Sequence, residues 1–165
     1  MEMVLNLIIC FLIVVAVDLL IGQFAIWRSK RNGLSLKKSI DPLEVPIITM
    51  ENGGKEYNFL LDTGSNKSHL NSRLLKSIKD YEVLKDDDSP VATGGGTVNG
   101  GGWIRMPLQY KKQSFTEDFL LLDLQESFKS VYEESGVQLH GILGCDFFRK
   151  YGFIFDFNDM VFYRR

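Results

Sequence analysis

Residues 3–27, MVLNLIICFLIVVAVDLLIGQFAIW, form an apolar block broken only by Asn6, Asp18, Gly22 and Gln23. No other feature restricts the fold so tightly. In hydrocarbon every backbone polar group must find its partner inside the chain, and a lone segment can do that only as a helix. At about 1.5 Å per residue, the block crosses the roughly 30 Å hydrocarbon core with some tilt. The competing reading is a cleaved signal peptide, which would show a basic start, a shorter apolar stretch and small residues before a cut. Here the start is MEM, the block is long and no A-x-A-like site follows. The sequence therefore predicts an uncleaved transmembrane anchor over 1–27, in contact with the membrane through residues 3–27. Arg28, Lys30, Arg31, Lys37 and Lys38 follow the block and no Lys or Arg precedes it, which predicts a cytoplasmic location for the rest of the chain. Asp18 is costly in such a helix. It is either protonated or reaching toward a headgroup, or it helps two helices associate.

Residues 28–41, RSKRNGLSLKKSID, are polar and basic without sustained periodicity, and are expected to be a tether. Residues 42–165 then suit one domain with its own core. The 165 residues carry 19 Lys and Arg against 21 Asp and Glu, with a pI near 5.7. No basic face stands out, so a nucleic-acid partner is not expected. The two cysteines, Cys10 and Cys145, would be kept apart by the membrane, which fits a reducing compartment.

Strand signals predominate in the domain. LEVPIITM (43–50) and YNFLLD (57–62) flank ENGGKE, whose Asn-Gly-Gly suits a hairpin turn. Residues 71–79 predict a short helix capped by Asn71. KDDDSP (85–90) reads as a solvated loop. FTEDFLLLD (115–123) predicts a strand, and LQESFKSVYEES (124–135) predicts a helix ending near Gly136. At the end of the chain Phe153, Phe155 and Phe157 alternate before a turn at Asn158 and Asp159 and a final strand.

Asp62 closes an apolar strand and is followed by Thr63 and Gly64. A buried carboxylate without a partner costs several kcal/mol or takes up a proton, so its place needs a reason. An Asx-turn would be one. A second element shifts the reading: Ile142, Leu143 and Gly144, in HGILGCDFFRKYGFIFDF, supply two bulky apolar residues and a glycine ahead of a short amphipathic helix. FLLDTGS and GILGCDFFRKYGFIFDF together resemble the active-site turn and the lobe-closing segment of retropepsin-like aspartic proteases, the single-lobe members of the clan of pepsin and the retroviral proteases. The resemblance covers about residues 43–165. It departs from two-lobed pepsins where Cys145 separates Gly144 from Asp146.

That resemblance implies a mostly β fold, a single-lobe acid-protease closed β-barrel with short helices, preceded by the transmembrane helix. It implies an aspartic endopeptidase whose catalytic Asp62 meets its copy across a homodimer, because the chain holds one Asp-Thr-Gly and lobes of this kind use two. The pair would share a proton and activate a water against a peptide or protein substrate. Thr63, Gly64, Ser65, Ile142, Leu143 and Gly144 would support the site, with the Ser65 hydroxyl donating to the carboxylate. The glycine-rich TGGGTVNGGGW lacks the Gly-Lys-Ser/Thr of a phosphate loop; in position it matches the family's flap, with Gly94, Gly95 and Gly96 over the substrate, or else it is a surface loop. Trp103 would anchor its base. Asp146 and Asp156 lack a Thr-Gly and are read as structural. His69 and His140 have no ligand-spaced neighbours, so neither metal nor cofactor is expected. The readings kept beside the peptidase are a catalytically silent peptide-binding or dimerisation module, and a tethered regulator that cleaves only itself.

Overall fold

The computed structural model describes residues 2–36, 45–85, 90–93 and 96–164. In chain order the elements are α1 (Glu2–Arg31), β1 (Leu34–Ser35), β2 (Ile47–Asn52), β3 (Lys55–Leu61), β4 (His69–Asn71), a 3-10 helix (Ser72–Ser77), β5 (Glu82–Lys85), β6 (Pro90–Thr93), β7 (Gly96–Tyr110), β8 (Gln113–Leu122), α2 (Lys129–Ser135), β9 (Gly141–Leu143), α3 (Cys145–Tyr151), β10 (Phe153–Asp156) and β11 (Val161–Arg164). They fall into two compact units, one of residues 1–35 with 152–165 and one of residues 36–151.

In the first unit α1 is long and apolar enough to cross a membrane by length and composition, and none of its residues is buried. Helix continues beyond the apolar block to Arg31, into the stretch expected as a tether. β1 follows and pairs with β11, which pairs in turn with β10, all antiparallel. Two interactions explain why this basic stretch is structured. Lys30 lies 2.6 Å from both Asp156 and Asp159, and Gly33 packs so closely on Val161 that a Cβ there would meet its Cγ2 at 2.6 Å. Phe162 is buried, with Phe153 stacked on it at 4.1 Å and Phe155 at 4.5 Å. Phe157, expected to share their face, is exposed because the strand ends at Asp156.

The second unit is a closed barrel. β2, β3, β9, β4, β8 and β7 follow one another in that order, and the pairing of Glu51 with Gln109 joins β7 back to β2. β5 and β6 pair with β7 outside this circuit. The fold is thus mostly β, a single-lobe six-stranded barrel with short helices, as expected. The β2–β3 hairpin turns at Gly53 and Gly54, both with positive φ (57° and 81°), a conformation that glycine reaches without a Cβ penalty. Asn71 caps the helix after it by accepting the Arg73 N–H at 3.2 Å; the helix is 3-10. α2 ends at Gly136, whose φ of 70° lets its N–H reach the Tyr132 carbonyl at 2.8 Å. Inside the barrel Phe59 stacks on Phe119, both wholly buried. Nearby lies a cluster of Ile47, Leu120, Leu122, Leu124, Phe128 and Leu139, against which Trp103 and Ile142 pack.

Candidate active site

The parallel pairing of β3 with β9 sets Leu60 opposite Ile142 and Leu61 opposite Leu143. Asp62 is the first residue beyond that ladder. Its N–H continues the pattern by donating to the Leu143 carbonyl at 3.0 Å. Residues 142–144 therefore lie beside the Asp62–Gly64 turn, although 80 positions separate them in the sequence. Leu143 is buried and anchors the pair from below.

The carboxylate itself is oriented by the turn. Gly64 donates its N–H to Asp62 Oδ1 at 2.8 Å, and the Ser65 N–H reaches the Asp62 carbonyl at 3.3 Å. Asp62 is half-buried, whereas Thr63 and Gly64 are exposed. The turn thus presents an acid at the surface of the lobe instead of burying it. Cys145 ties the turn to α3: its N–H donates to the Ser65 carbonyl at 2.8 Å and its thiol to the Thr63 carbonyl at 3.2 Å.

Ser65 differs from expectation. Its hydroxyl donates to the Lys67 carbonyl at 2.7 Å, not to the carboxylate. The reason is local, since a serine three residues past the aspartate can close its own turn on residue 67. It holds the backbone that follows the acid. Gly144 lies against that same backbone, where a Cβ would fall 2.4 Å from the Lys67 carbonyl oxygen.

Gly94 and Gly95 lie outside the described residues. Gly96 opens β7, and the β6–β7 hairpin places it opposite Thr93, with Pro90 opposite Asn99. The described part of the glycine-rich stretch thus lies in a strand paired antiparallel with β6. Trp103, in the same strand, is half-buried against the core cluster.

His69 follows the turn on β4. Burial pushes its imidazole below the ordinary histidine value, opposed by the nearby carboxylates of Asp146 and Asp62. Its Nδ1 is buried with no partner among the described residues. Among those residues no three His, Cys, Asp or Glu side chains are grouped to hold a metal.

Two residues of this region escaped the sequence reading. Ser68 is fully buried, and its hydroxyl lies 2.9 Å from Glu117 Oε1 and 2.9 Å from Asp146 Oδ1, while receiving the Gly144 N–H at 3.2 Å. Glu117 is 2% exposed. The signal for it was present: Phe115, Glu117 and Phe119 alternate on one face of β8, so an acid stands at a core position. Burial pushes its carboxyl above the ordinary glutamate value, against the pull of Ser68 and Lys150. Beside it opens a cavity of about 350 Å³ lined by Lys67, Trp103, Asp146 and Lys150 among others.

Two of the solved structures that this chain is similar to are a protease and a protease-like domain. The EIAV protease complexed with an inhibitor is 20% identical, with 66% of this chain and 88% of that chain covered at a TM-score of 0.48. The retroviral protease-like domain of Ddi1 from Leishmania major is 17% identical, with 68% and 81% covered at a TM-score of 0.49. No family model matches the chain, and no curated protein matches it.

Proposed function

We propose that the chain is a membrane-anchored aspartic endopeptidase, active as a homodimer in which Asp62 of one copy faces Asp62 of the other. The observation that carries this reading is the Asp62–Gly64 turn itself: a carboxylate held by the Gly64 N–H, its backbone bonded to Leu143 of β9 and presented at the lobe surface with Thr63 beside it. A single acid so placed does no more than close its Asx-turn on Gly64. Two brought together cannot both ionise, so one proton is shared between them. The ionised partner then draws a proton from a water while the protonated partner polarises the scissile carbonyl, and a single pair serves as general base and general acid.

The substrate in this reading is an extended peptide, added as a strand beneath a flap to which Gly94, Gly95 and Gly96 are assigned, with apolar side chains preferred in the pockets. Closure of the flap would exclude water. α1 would span the membrane, and Arg28, Lys30 and Arg31 in its last turn favour a cytoplasmic barrel. Confinement to a plane raises the effective concentration of the two copies.

Asp62→Asn tests the chemistry. Asparagine keeps the oxygen that receives the Gly64 N–H, so the turn should persist while proton transfer is lost. Cleavage of a mixed peptide library by the full chain in detergent should fall by about 10²-fold or more. Equal cleavage by the variant would reject the mechanism, and no cleavage by either, with dimers present, would favour the silent module.

A further inference from the structure

The Ser68 hydroxyl poses a proton-counting problem. It has one hydrogen to donate and two lone pairs to accept with. Around it stand two carboxylate oxygens, Glu117 Oε1 and Asp146 Oδ1, each at 2.9 Å, and one donor, the Gly144 N–H at 3.2 Å. If both acids were ionised, the single hydroxyl proton could satisfy only one. The other oxygen would face a lone pair at hydrogen-bond distance inside a buried site, which is costly. The arrangement closes when one acid carries a proton and donates it to Ser68. The hydroxyl then accepts from that acid and from Gly144, and donates to the second acid.

The neighbours decide which acid donates. Both oxygens of Asp146 already receive backbone N–H groups, Oδ2 from Ser68 at 3.2 Å and Oδ1 from Phe147 at 2.9 Å. It is built as an acceptor. Among the described residues Glu117 receives no backbone donor at Oε1, and it is the more deeply buried of the two. We infer that Glu117 is a positioning residue held as the neutral acid, that it donates to Ser68, and that its ionisation at higher pH loosens the backbone on which Asp62 depends. The inference rests on the peptidase reading for its consequence, though not for the protonation itself.

The charged groups around Glu117 come from several elements. Lys150 on α3 lies 3.2 Å from Oε2 and favours ionisation, but its side chain is 45% exposed and so well screened. Asp146, on the same helix, opposes ionisation, and burial outweighs the lysine. Asp118, next along β8, is bound to Arg105 of β7 at 2.7 Å. Lys67 lies in the loop after the turn and, with Asp118, Asp146 and Lys150, lines the same cavity. His69 on β4 feels the charges of Asp146 and Asp62.

The route from Glu117 to the acid is short. Ser68 holds the Gly144 N–H, and Gly144 lies against the Lys67 and Ser65 carbonyls, so closely that no Cβ would fit. Those two residues are the ones that close the turn behind Asp62. When Glu117 loses its proton, two acceptors compete for one hydroxyl and this packing loses its pin. The upper pH limit of activity would then be set by Glu117, outside the dyad.

The test uses the full chain in detergent and its Glu117→Gln and Ser68→Ala variants. An amide can donate to Ser68 at any pH, so Glu117→Gln imitates the neutral acid permanently. With isotope-labelled glutamate followed by NMR, one carboxyl should titrate above the ordinary glutamate range, and that signal should vanish in Glu117→Gln. In peptide cleavage, the alkaline loss of kcat in wild type should track this titration and should shift to higher pH in Glu117→Gln with KM unchanged. Ser68→Ala should lose kcat across the whole range. A Glu117 that titrates as an ordinary glutamate overturns the inference, and so does a Glu117→Gln profile that superimposes on wild type. If no form cleaves peptide, the peptidase reading fails while the titration still decides the state of Glu117.

Discussion

Replacing Gly144 by alanine should damage the lobe far more than one methyl group suggests. The new Cβ would lie 2.4 Å from the Lys67 carbonyl oxygen, 2.6 Å from the carbon that bears it and 2.9 Å from the Ser65 carbonyl oxygen. Optimal carbon contacts are about 3.5–4.0 Å, and all three obstructing atoms are backbone. They cannot swing aside, because the Lys67 carbonyl is held by the Ser65 hydroxyl and the Ser65 carbonyl by the Cys145 N–H. Relief therefore requires that the strand or the turn move by about 1 Å. Overpacking of this kind costs about 1–3 kcal/mol, and rigid backbone places this site at the upper end. For a domain of this size about 3 kcal/mol lowers Tm by roughly 10 °C. Gly101→Ala is the matched control, since its Cβ would meet Leu121 Cβ at 3.5 Å, an ordinary contact, and its effect should stay within about 0.5 kcal/mol. Thermal unfolding followed by near-UV circular dichroism compares the two. Equal Tm values for both variants would refute the close packing of residues 142–144 on the turn.

Phe59→Ala removes one half of the buried Phe59–Phe119 stack and should cost about 3–5 kcal/mol, read from the shift in a urea midpoint. Stability should also fall on mild acidification through His140. Its Nδ1 accepts the Asn58 N–H at 2.9 Å, which requires a neutral ring, and burial holds the imidazole below its ordinary value, assisted by Lys55. The unfolded chain then binds the proton first, so this stability is complete above about pH 6.5 and is lost as pH falls toward the folded value. His140→Gln should flatten that slope in denaturation across the window. Glu117 has the opposite sign: its raised value gives stability that is complete below the ordinary glutamate value, near 4.5, and lost as pH rises through the folded one, and Glu117→Gln should abolish that loss.

Local chemistry made much of this fold legible. Gly53 and Gly54 announce a turn that needs positive φ, Asn71 and Gly136 mark helix ends, and the block at 3–27 admits only a helix. The nearness of Ile142 to Asp62 was legible through a resemblance, since no local signal joins residues so far apart. β4 was not legible. Three residues pairing parallel with β8 and antiparallel with β9 leave no periodicity to read. The same limit hid Ser68, whose importance comes from three partners brought in by β8, α3 and the loop before it. Ser65 was misdirected for a related reason: from sequence its hydroxyl could close on the carboxylate or on its own turn, and only the backbone path selects Lys67. Leu34 shows the reverse case, a residue in a basic stretch that is fully buried because β11 offers it a strand partner.

The central claim is that one catalytic unit draws an acid from each of two chains. Asp62→Asn protein mixed with wild type at constant total concentration, with time allowed for exchange of partners, tests it most directly. If every active unit needs two intact copies of Asp62, peptide cleavage should fall with the square of the wild-type fraction. A fall in simple proportion to that fraction would mean that each chain works alone, and would contradict the account.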